Sequence, residues 1–131
     1  MTTQKRIYIA EDNPVQVVLM RGALASRSEY EVTFFGDGLS AYQQVQEKKP
    51  DLLVLDIILP NLSGLAVSRL LKFHDEYRDV PIMVTSSITD PELRARVRDM
   101  GAELFLPKPF TVDQLLEALR SFFQEPGEQS A

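Results

Sequence analysis

Five short runs rich in β-branched and aromatic residues alternate along the chain with longer stretches in which apolar residues recur at helical spacing. This alternation is typical of a parallel sheet covered by helices on both faces, because each strand needs a crossover to reach the next. The third run is apolar throughout 52–55, as expected for a central strand. The predicted strands are 6–10 (RIYIA), 31–35 (EVTFF), 51–55 (DLLVL), 80–85 (VPIMVT) and 103–106 (ELFL).

Each predicted helix begins at a side chain that can accept a hydrogen bond from a free backbone N–H group. Two of these residues are followed by proline, which suits the first turn of a helix. Gly101 follows the fourth helical stretch and predicts its C-terminal end. The five starts are Asn13-Pro14, Asp37-Gly38, Ser63-Gly64, Asp90-Pro91 and Thr111, which forms a capping-box pattern with Gln114.

Length, charge and cysteine content limit the possible functions. At 131 residues and 44% hydrophobic, the chain is long enough for one domain, and without cysteine it has neither disulfides nor thiolate metal sites. Its net charge of −5 argues against direct nucleic-acid binding. The polar N-terminus fits neither a signal peptide nor a membrane span, which favours a cytoplasmic protein. We expect one domain over 1–124 and a flexible tail or start of a linker over 125–131.

Four strand ends carry residues suited to phosphoryl transfer. The carboxyl ends of parallel strands meet at one edge of a sheet, where three carboxylates would repel one another unless a cation lay among them. Hard oxygen ligands suit Mg²⁺, and a carboxylate can attack phosphorus. A solvated turn residue is the simpler interpretation of any one acid, but the combination favours a common site. The strand ends carry Glu11-Asp12, Asp56, Thr85-Ser86-Ser87 and, after the fifth strand, Lys108.

These residues closely resemble the receiver domains of two-component response regulators, and the likeness extends over about residues 5–123. The family motif includes an acidic pair after the first strand, an aspartate after the third, a hydroxyl after the fourth and a Lys-Pro after the fifth. The matching segments here are Glu11-Asp12, the run 56–60 (DIILP) with Gly64 beyond it, the hydroxyl strand end and Lys108-Pro109-Phe110.

The spacing of the motif residues also fits the family. Asp12 and Asp56 are 44 positions apart, Asp56 and Ser86 are 30 apart, and Ser86 and Lys108 are 22 apart, which requires no insertion. This register selects Ser86 rather than Thr85 as the motif hydroxyl.

The resemblance implies a three-layer, doubly wound (βα)5 fold of the flavodoxin-like type, with a five-stranded parallel sheet in the order 2-1-3-4-5. Residues 1–124 would form the receiver domain. Its function would be to accept a phosphoryl group from a histidine kinase or phosphotransfer protein and to pass the signal to a downstream effector or output domain. Such a protein acts on itself and is not a turnover enzyme for an external substrate.

The resemblance assigns Asp56 as the phospho-acceptor. Mg²⁺, or Mn²⁺, would be held by Asp12 directly, by Glu11 through water, by Asp56 and by the backbone carbonyl of Ile58. Glu11 is longer than the aspartate frequent in the family, which could change how water is held around the metal.

The remaining family roles fall on residues of the fourth and fifth strands. Lys108 would contact a phosphoryl oxygen and assist Asp56 in catalysis, and the Lys108-Pro109 bond is commonly cis in the family. Ser86 would hydrogen-bond the phosphate and draw its loop inward, which lets Phe105 turn inward. The surface of the fourth helix, fifth strand and fifth helix would then change, and it could also support a homodimer. Serine replaces the usual threonine at Ser86, and phenylalanine replaces the frequent tyrosine at Phe105.

Ile58 and Ile88 support a prediction of their own. They lie two residues beyond Asp56 and Ser86, so we expect both to flank the phosphoryl group. Apolar side chains hold an attacking water poorly. We therefore expect the phospho-aspartate to last longer than it would with polar residues at positions 58 and 88.

Three other kinds of protein share parts of this pattern. An aspartate-based phosphatase needs a second aspartate two residues beyond the nucleophile, where this chain has Ile58. A flavin carrier needs a glycine- and hydroxyl-rich phosphate loop after the first strand, whereas 10–14 (AEDNP) would repel phosphate. A degenerate receiver that acts only as a protein-docking module is the remaining alternative, although every charged residue of the motif is present.

Overall fold

A computed structural model of the chain describes residues 4–88 and 90–124, in which five strands alternate with five helices. The predicted tail at 125–131 lies outside the described residues. The strands are β1 (Lys5–Ala10), β2 (Tyr30–Phe35), β3 (Leu52–Asp56), β4 (Ile82–Ser86) and β5 (Leu104–Pro107). The helices are α1 (Pro14–Leu24), α2 (Gly38–Glu47), α3 (Gly64–Phe73), α4 (Pro91–Asp99) and α5 (Val112–Phe123).

The five strands form one parallel sheet in the order β2-β1-β3-β4-β5, which confirms the predicted topology. Alternate residues of β1 enter two separate apolar clusters. Ile7 and Ile9 pack with residues of α1 and α5, whereas Tyr8 and Ala10 pack with residues of α2, α3 and α4. The sheet is therefore the middle of three layers, and β3 is buried along its whole length.

The predicted capping residues begin all five helices. Asn13, Asp37, Ser63, Asp90 and Thr111 each accept a hydrogen bond from a backbone N–H of the first turn, and Thr111 forms the capping box with Gln114. Gly101 lies directly after the cap of α4 with φ of 94°, a conformation that glycine adopts without steric cost.

The fourth strand begins two residues later than predicted. Val80 donates its N–H to the carbonyl of Tyr77 in a turn, and Pro81 has no N–H for the sheet, so regular pairing starts at Ile82. Within the described residues, no helix has the length and apolar composition needed to cross a membrane.

A serine inside α3 and the serine that caps it predict opposite effects on stability. The Ser68 hydroxyl is buried and has no hydrogen-bond partner among the described residues, so Ser68→Ala should raise the free energy of unfolding by about 0.5–1.5 kcal/mol. The Ser63 hydroxyl accepts a hydrogen bond from the Ala66 N–H at 3.1 Å, so Ser63→Ala should lower it by about 1 kcal/mol. Urea unfolding of both variants measures the contrast, and destabilisation by Ser68→Ala would contradict the assignment of an unsatisfied hydroxyl.

Candidate functional site

The carboxyl edge of the sheet brings together the charged residues that the sequence placed at strand ends. Glu11 and Asp12 follow β1, Asp56 is the last residue of the central strand β3, and Lys108 follows β5. Glu11 is only 2% exposed and Asp56 is also buried, whereas Asp12 is open to solvent. Two carboxylates thus lie under the surface of the edge and a third lies at its opening.

Lys108 connects the two buried carboxylates. Its Nζ lies 2.6 Å from Oε1 of Glu11 and 2.9 Å from Oδ2 of Asp56. The backbone N–H of Lys108 donates to the Ser86 carbonyl at 2.8 Å, which fixes the start of the loop after β5. The Lys108–Pro109 bond is cis, as the family resemblance implies. The ammonium group therefore lies within reach of any group that reacts at Asp56.

Burial and hydrogen bonding act in opposite directions on this ion pair. Burial raises the pKa of Glu11 above its ordinary value, and the hydrogen bonds from Lys108 and from the Asn13 N–H offset that rise only in part. For Lys108, burial favours the neutral amine, but the hydrogen bonds and charges of Glu11 and Asp56 outweigh it and raise its pKa. Lys108 is therefore a cation at neutral pH.

The three acidic residues bring carboxylate oxygens close together. One carboxylate oxygen from each of Glu11, Asp12 and Asp56 can be chosen so that all three lie within 4.8 Å of one another. Hard carboxylate oxygens, one of them on an exposed side chain, fit the requirements of a divalent cation such as Mg²⁺. The fourth predicted ligand, Ile58, lies two residues beyond Asp56 at the same edge, and its N–H approaches Oδ1 of Asp56 at 3.4 Å.

Ser86 and Phe105 lie on the neighbouring strands β4 and β5. The Ser86 hydroxyl is buried at the end of β4, and it accepts a hydrogen bond from the Ile88 N–H at 3.0 Å. Phe105 is half-buried on β5 against the apolar cluster that includes residues of α2, α3 and α4, and the Arg94 guanidinium lies 4.8 Å from the centre of its ring. The structure thus places Ser86 on the strand next to that of Asp56, and Phe105 on the strand beyond it.

Two supporting features escaped the sequence interpretation. The Asn13 N–H donates to Oε2 of Glu11 at 3.1 Å, so the residue that caps α1 also orients a site carboxylate. Gly64 donates its N–H to the Ile57 carbonyl at 2.8 Å and leaves no space for a side chain against the Asp56 backbone. The Asn-Pro after the acidic pair was a signal for the first, and the Gly64 of the motif was a signal for the second.

Comparison with known proteins identifies the architecture. Residues 7–120 match the family model of the response regulator receiver domain, which is most of the chain. The chain belongs to this family. It is a receiver domain of two-component signalling, so the recognition made from the strand-end motif is confirmed.

Curated relatives include the polar-differentiation response regulator DivK of Brucella anthropi, which is 35% identical over 118 residues and covers 90% of this chain and 95% of DivK. The receiver domain of the sensor histidine kinase PA1611 from Pseudomonas aeruginosa, solved with magnesium in its active-site cleft, is 28% identical with a TM-score of 0.80, covering 91% of this chain and 97% of that one. The Mn²⁺-bound form of response regulator Rcp1 shares the fold, with 21% identity, a TM-score of 0.82, and coverage of 93% and 96%.

Proposed function

We propose that this receiver accepts a phosphoryl group on Asp56 from the phosphohistidine of a histidine kinase or phosphotransfer protein. The observation that carries the proposal is the position of Lys108, whose ammonium group contacts Asp56 at 2.9 Å, while carboxylate oxygens of Glu11 and Asp12 lie within 4.8 Å of an oxygen of Asp56. A nucleophile, a fixed cation and a set of metal ligands meet at one open edge. These are the parts that in-line phosphoryl transfer requires.

The transfer exchanges one bond to phosphorus for another. An oxygen of Asp56 forms a bond to phosphorus while the bond from phosphorus to the donor nitrogen breaks, and the imidazole nitrogen keeps the electron pair. The Lys108 ammonium is already fixed beside the nucleophile, so it would stabilise the negative charge on the phosphoryl oxygens during transfer. Mg²⁺ or Mn²⁺, held by Glu11, Asp12, Asp56 and the Ile58 carbonyl, would neutralise phosphoryl charge when bound. The receiver changes its own state and turns over no external substrate.

The switch would begin at Ser86. Its hydroxyl oxygen accepts from the Ile88 N–H, which leaves the hydroxyl proton available for a phosphoryl oxygen. That new charge-assisted hydrogen bond exists only after phosphorylation, so it biases the β4–α4 loop towards the site. Inward movement of the loop would allow Phe105 to move and would alter the α4-β5-α5 surface, which we propose as the face that contacts the effector or a second receiver.

The donor would dock on α1. This helix starts directly after the acidic pair, and it exposes the apolar side chains Val15, Val18 and Leu19 beside the site. Val112, the first residue of α5, is a fourth exposed apolar residue and follows the loop that contains Lys108. An apolar face at the edge of the nucleophile's opening fits a helical partner that must bring phosphohistidine close to Asp56.

Incubation of the chain with acetyl phosphate and Mg²⁺ tests the proposal. Intact mass spectrometry should show the addition of one phosphoryl group, and Asp56→Asn should abolish it. Asp75→Asn, which changes an exposed carboxylate away from the site, should leave the addition unchanged. A wild-type chain that gains no phosphoryl group would instead favour the degenerate receiver that acts only in docking.

The lifetime of phospho-Asp56 should depend on two isoleucines. Ile58 and Ile88 are 61% and 38% exposed at the site edge, where neither can hydrogen-bond a water for attack on phosphorus. We expect Ile58→Asn and Ile88→Glu each to accelerate loss of phosphate severalfold, measured as the decay of the phosphorylated mass after the donor is removed. Leu70→Asn, at an exposed apolar position on α3, should not change the decay. Equal rates in all four proteins would refute the assignment.

A further inference from the structure

An aromatic side chain is exposed far from the carboxylates. Phe73, the last residue of α3, has 82% of its surface open to solvent, the largest value for a large apolar side chain among the described residues. Leu70 precedes it by three positions and is 40% exposed, so the two lie on one face of the helix. Such a pair beside a concave surface is typical of an interaction site.

A groove lies next to Phe73, between the C-terminal ends of α3 and α4. It has a volume of about 260 Å³ and is lined by Arg69, Lys72, Phe73, Asp99 and Met100. An engineered protein cavity of about 150 Å³ holds benzene, so the groove has room for a phenyl ring. The Lys72 ammonium is occupied by Glu103 at 3.2 Å and by two backbone carbonyls, so the Lys72 methylene groups add apolar surface.

The charges around the groove complement each other. Arg69 on α3 and Asp99 on α4 are both exposed, and neither takes part in an ion pair in the described part of the chain. One patch therefore carries a protruding aromatic ring, a groove that fits such a ring, one cation and one anion. A two-fold rotation can bring each of these features opposite its complement, which is the requirement for an isologous interface.

We propose that this patch forms a weak, two-fold symmetric homodimer. Phe73 of each copy enters the groove of the other beside Met100, and Arg69 of each copy pairs with Asp99 of the other. The net charge of −5 on each copy opposes association, so added salt strengthens the dimer at low ionic strength by screening that repulsion. The interface uses α3 and the end of α4, and it needs neither phosphate nor metal.

Sedimentation velocity of the full, unphosphorylated chain over a concentration series tests the dimer. The wild type should show a reversible monomer–dimer equilibrium, and Phe73→Ser should weaken it at least tenfold because an interface aromatic is lost. Phe73 is exposed, so its replacement should leave the melting temperature unchanged at concentrations well below the dissociation constant, where both proteins are monomers. Val18→Ser removes a similarly exposed apolar side chain from α1 and should leave the equilibrium constant unchanged.

Charge reversal makes the test specific to the proposed pairing. Arg69→Glu alone or Asp99→Arg alone should weaken the dimer, because each places like charges opposite each other across the two-fold axis. The double variant should restore the dissociation constant to within a few-fold of the wild type. The proposal is overturned by a wild type that stays monomeric, by a dimer that Phe73→Ser does not weaken, or by a double variant no tighter than the single ones.

Discussion

Gly64→Ala should lower the free energy of unfolding by roughly 3 kcal/mol or more, because the added methyl group would overlap backbone atoms that cannot move independently. A Cβ built at this position lies 2.8 Å from the Asp56 carbonyl carbon and 2.9 Å from Cα of Ile57, and it also contacts the Asp56 carbonyl oxygen. To make room, either the first turn of α3 or the end of β3 must shift. Either movement displaces Asp56, so phosphorylation by acetyl phosphate should fall together with stability.

Gly22→Ala is the matched control for this substitution. Gly22 lies inside α1, and a Cβ there meets no atom within 4 Å, so alanine should raise the free energy of unfolding by about 0.5–1 kcal/mol through its higher helix propensity. Urea unfolding of the two variants should therefore shift in opposite directions. A Gly64→Ala chain as stable as the wild type would mean that α3 does not begin against the backbone of β3.

The sequence predicts where the candidate site residues lie because their positions follow from topology. Once the third run is recognised as the central parallel strand, Asp56 must lie at its carboxyl end, and Glu11 must follow a neighbouring strand at the same edge. Lys108 follows from the fifth strand in the same way. The capping residues can also be predicted from the sequence, since their side chains accept hydrogen bonds from N–H groups only two or three positions away.

What could not be predicted depends on contacts between distant parts of the chain. A Cβ at Gly38, the first residue of α2, would overlap the backbone of Leu62 in the loop between β3 and α3, and nothing near Gly38 in the sequence reveals that approach. The exposure of Leu70 is equally hidden, because an apolar residue on an amphipathic helix is ordinarily read as part of the core. Helical spacing gives the faces of a helix but not which of them a neighbour covers.

Lys108→Met should lower the free energy of unfolding of the metal-free protein at neutral pH by roughly 2–4 kcal/mol, because it leaves buried carboxylates without their cation. Glu11 would lose the hydrogen bond at 2.6 Å and Asp56 the one at 2.9 Å. Added Mg²⁺ should restore much of this stability, because the proposed ligands would then share a positive charge again. Phosphorylation of Asp56 should still be about a hundredfold slower, since Lys108 no longer meets the phosphoryl oxygens.

Lys72→Met is a control that shows whether the effects of Lys108→Met are specific to Lys108 or follow from the loss of any paired lysine. Lys72 also pairs with a carboxylate, Glu103 at 3.2 Å, but at the opposite edge of the sheet. Its replacement should cost stability that Mg²⁺ does not restore, and it should leave the rate of phosphorylation unchanged. Urea unfolding with EDTA and with saturating Mg²⁺ distinguishes the two variants.

The pH dependence of the free energy of unfolding shows whether Lys108 stabilises the fold through the charge of Glu11. When the pKa of a carboxyl group is higher in the folded chain than in the unfolded chain, the free energy of unfolding falls as the pH rises above the ordinary pKa, which is 4.5 for Glu11. In the wild type the Lys108 hydrogen bond lowers the pKa of Glu11 and limits that loss. The stability difference between wild type and Lys108→Met should therefore be small below pH 4.5 and should widen as pH rises towards neutrality. A difference that stays constant across this range would mean that Lys108 stabilises the fold by packing rather than by its charge.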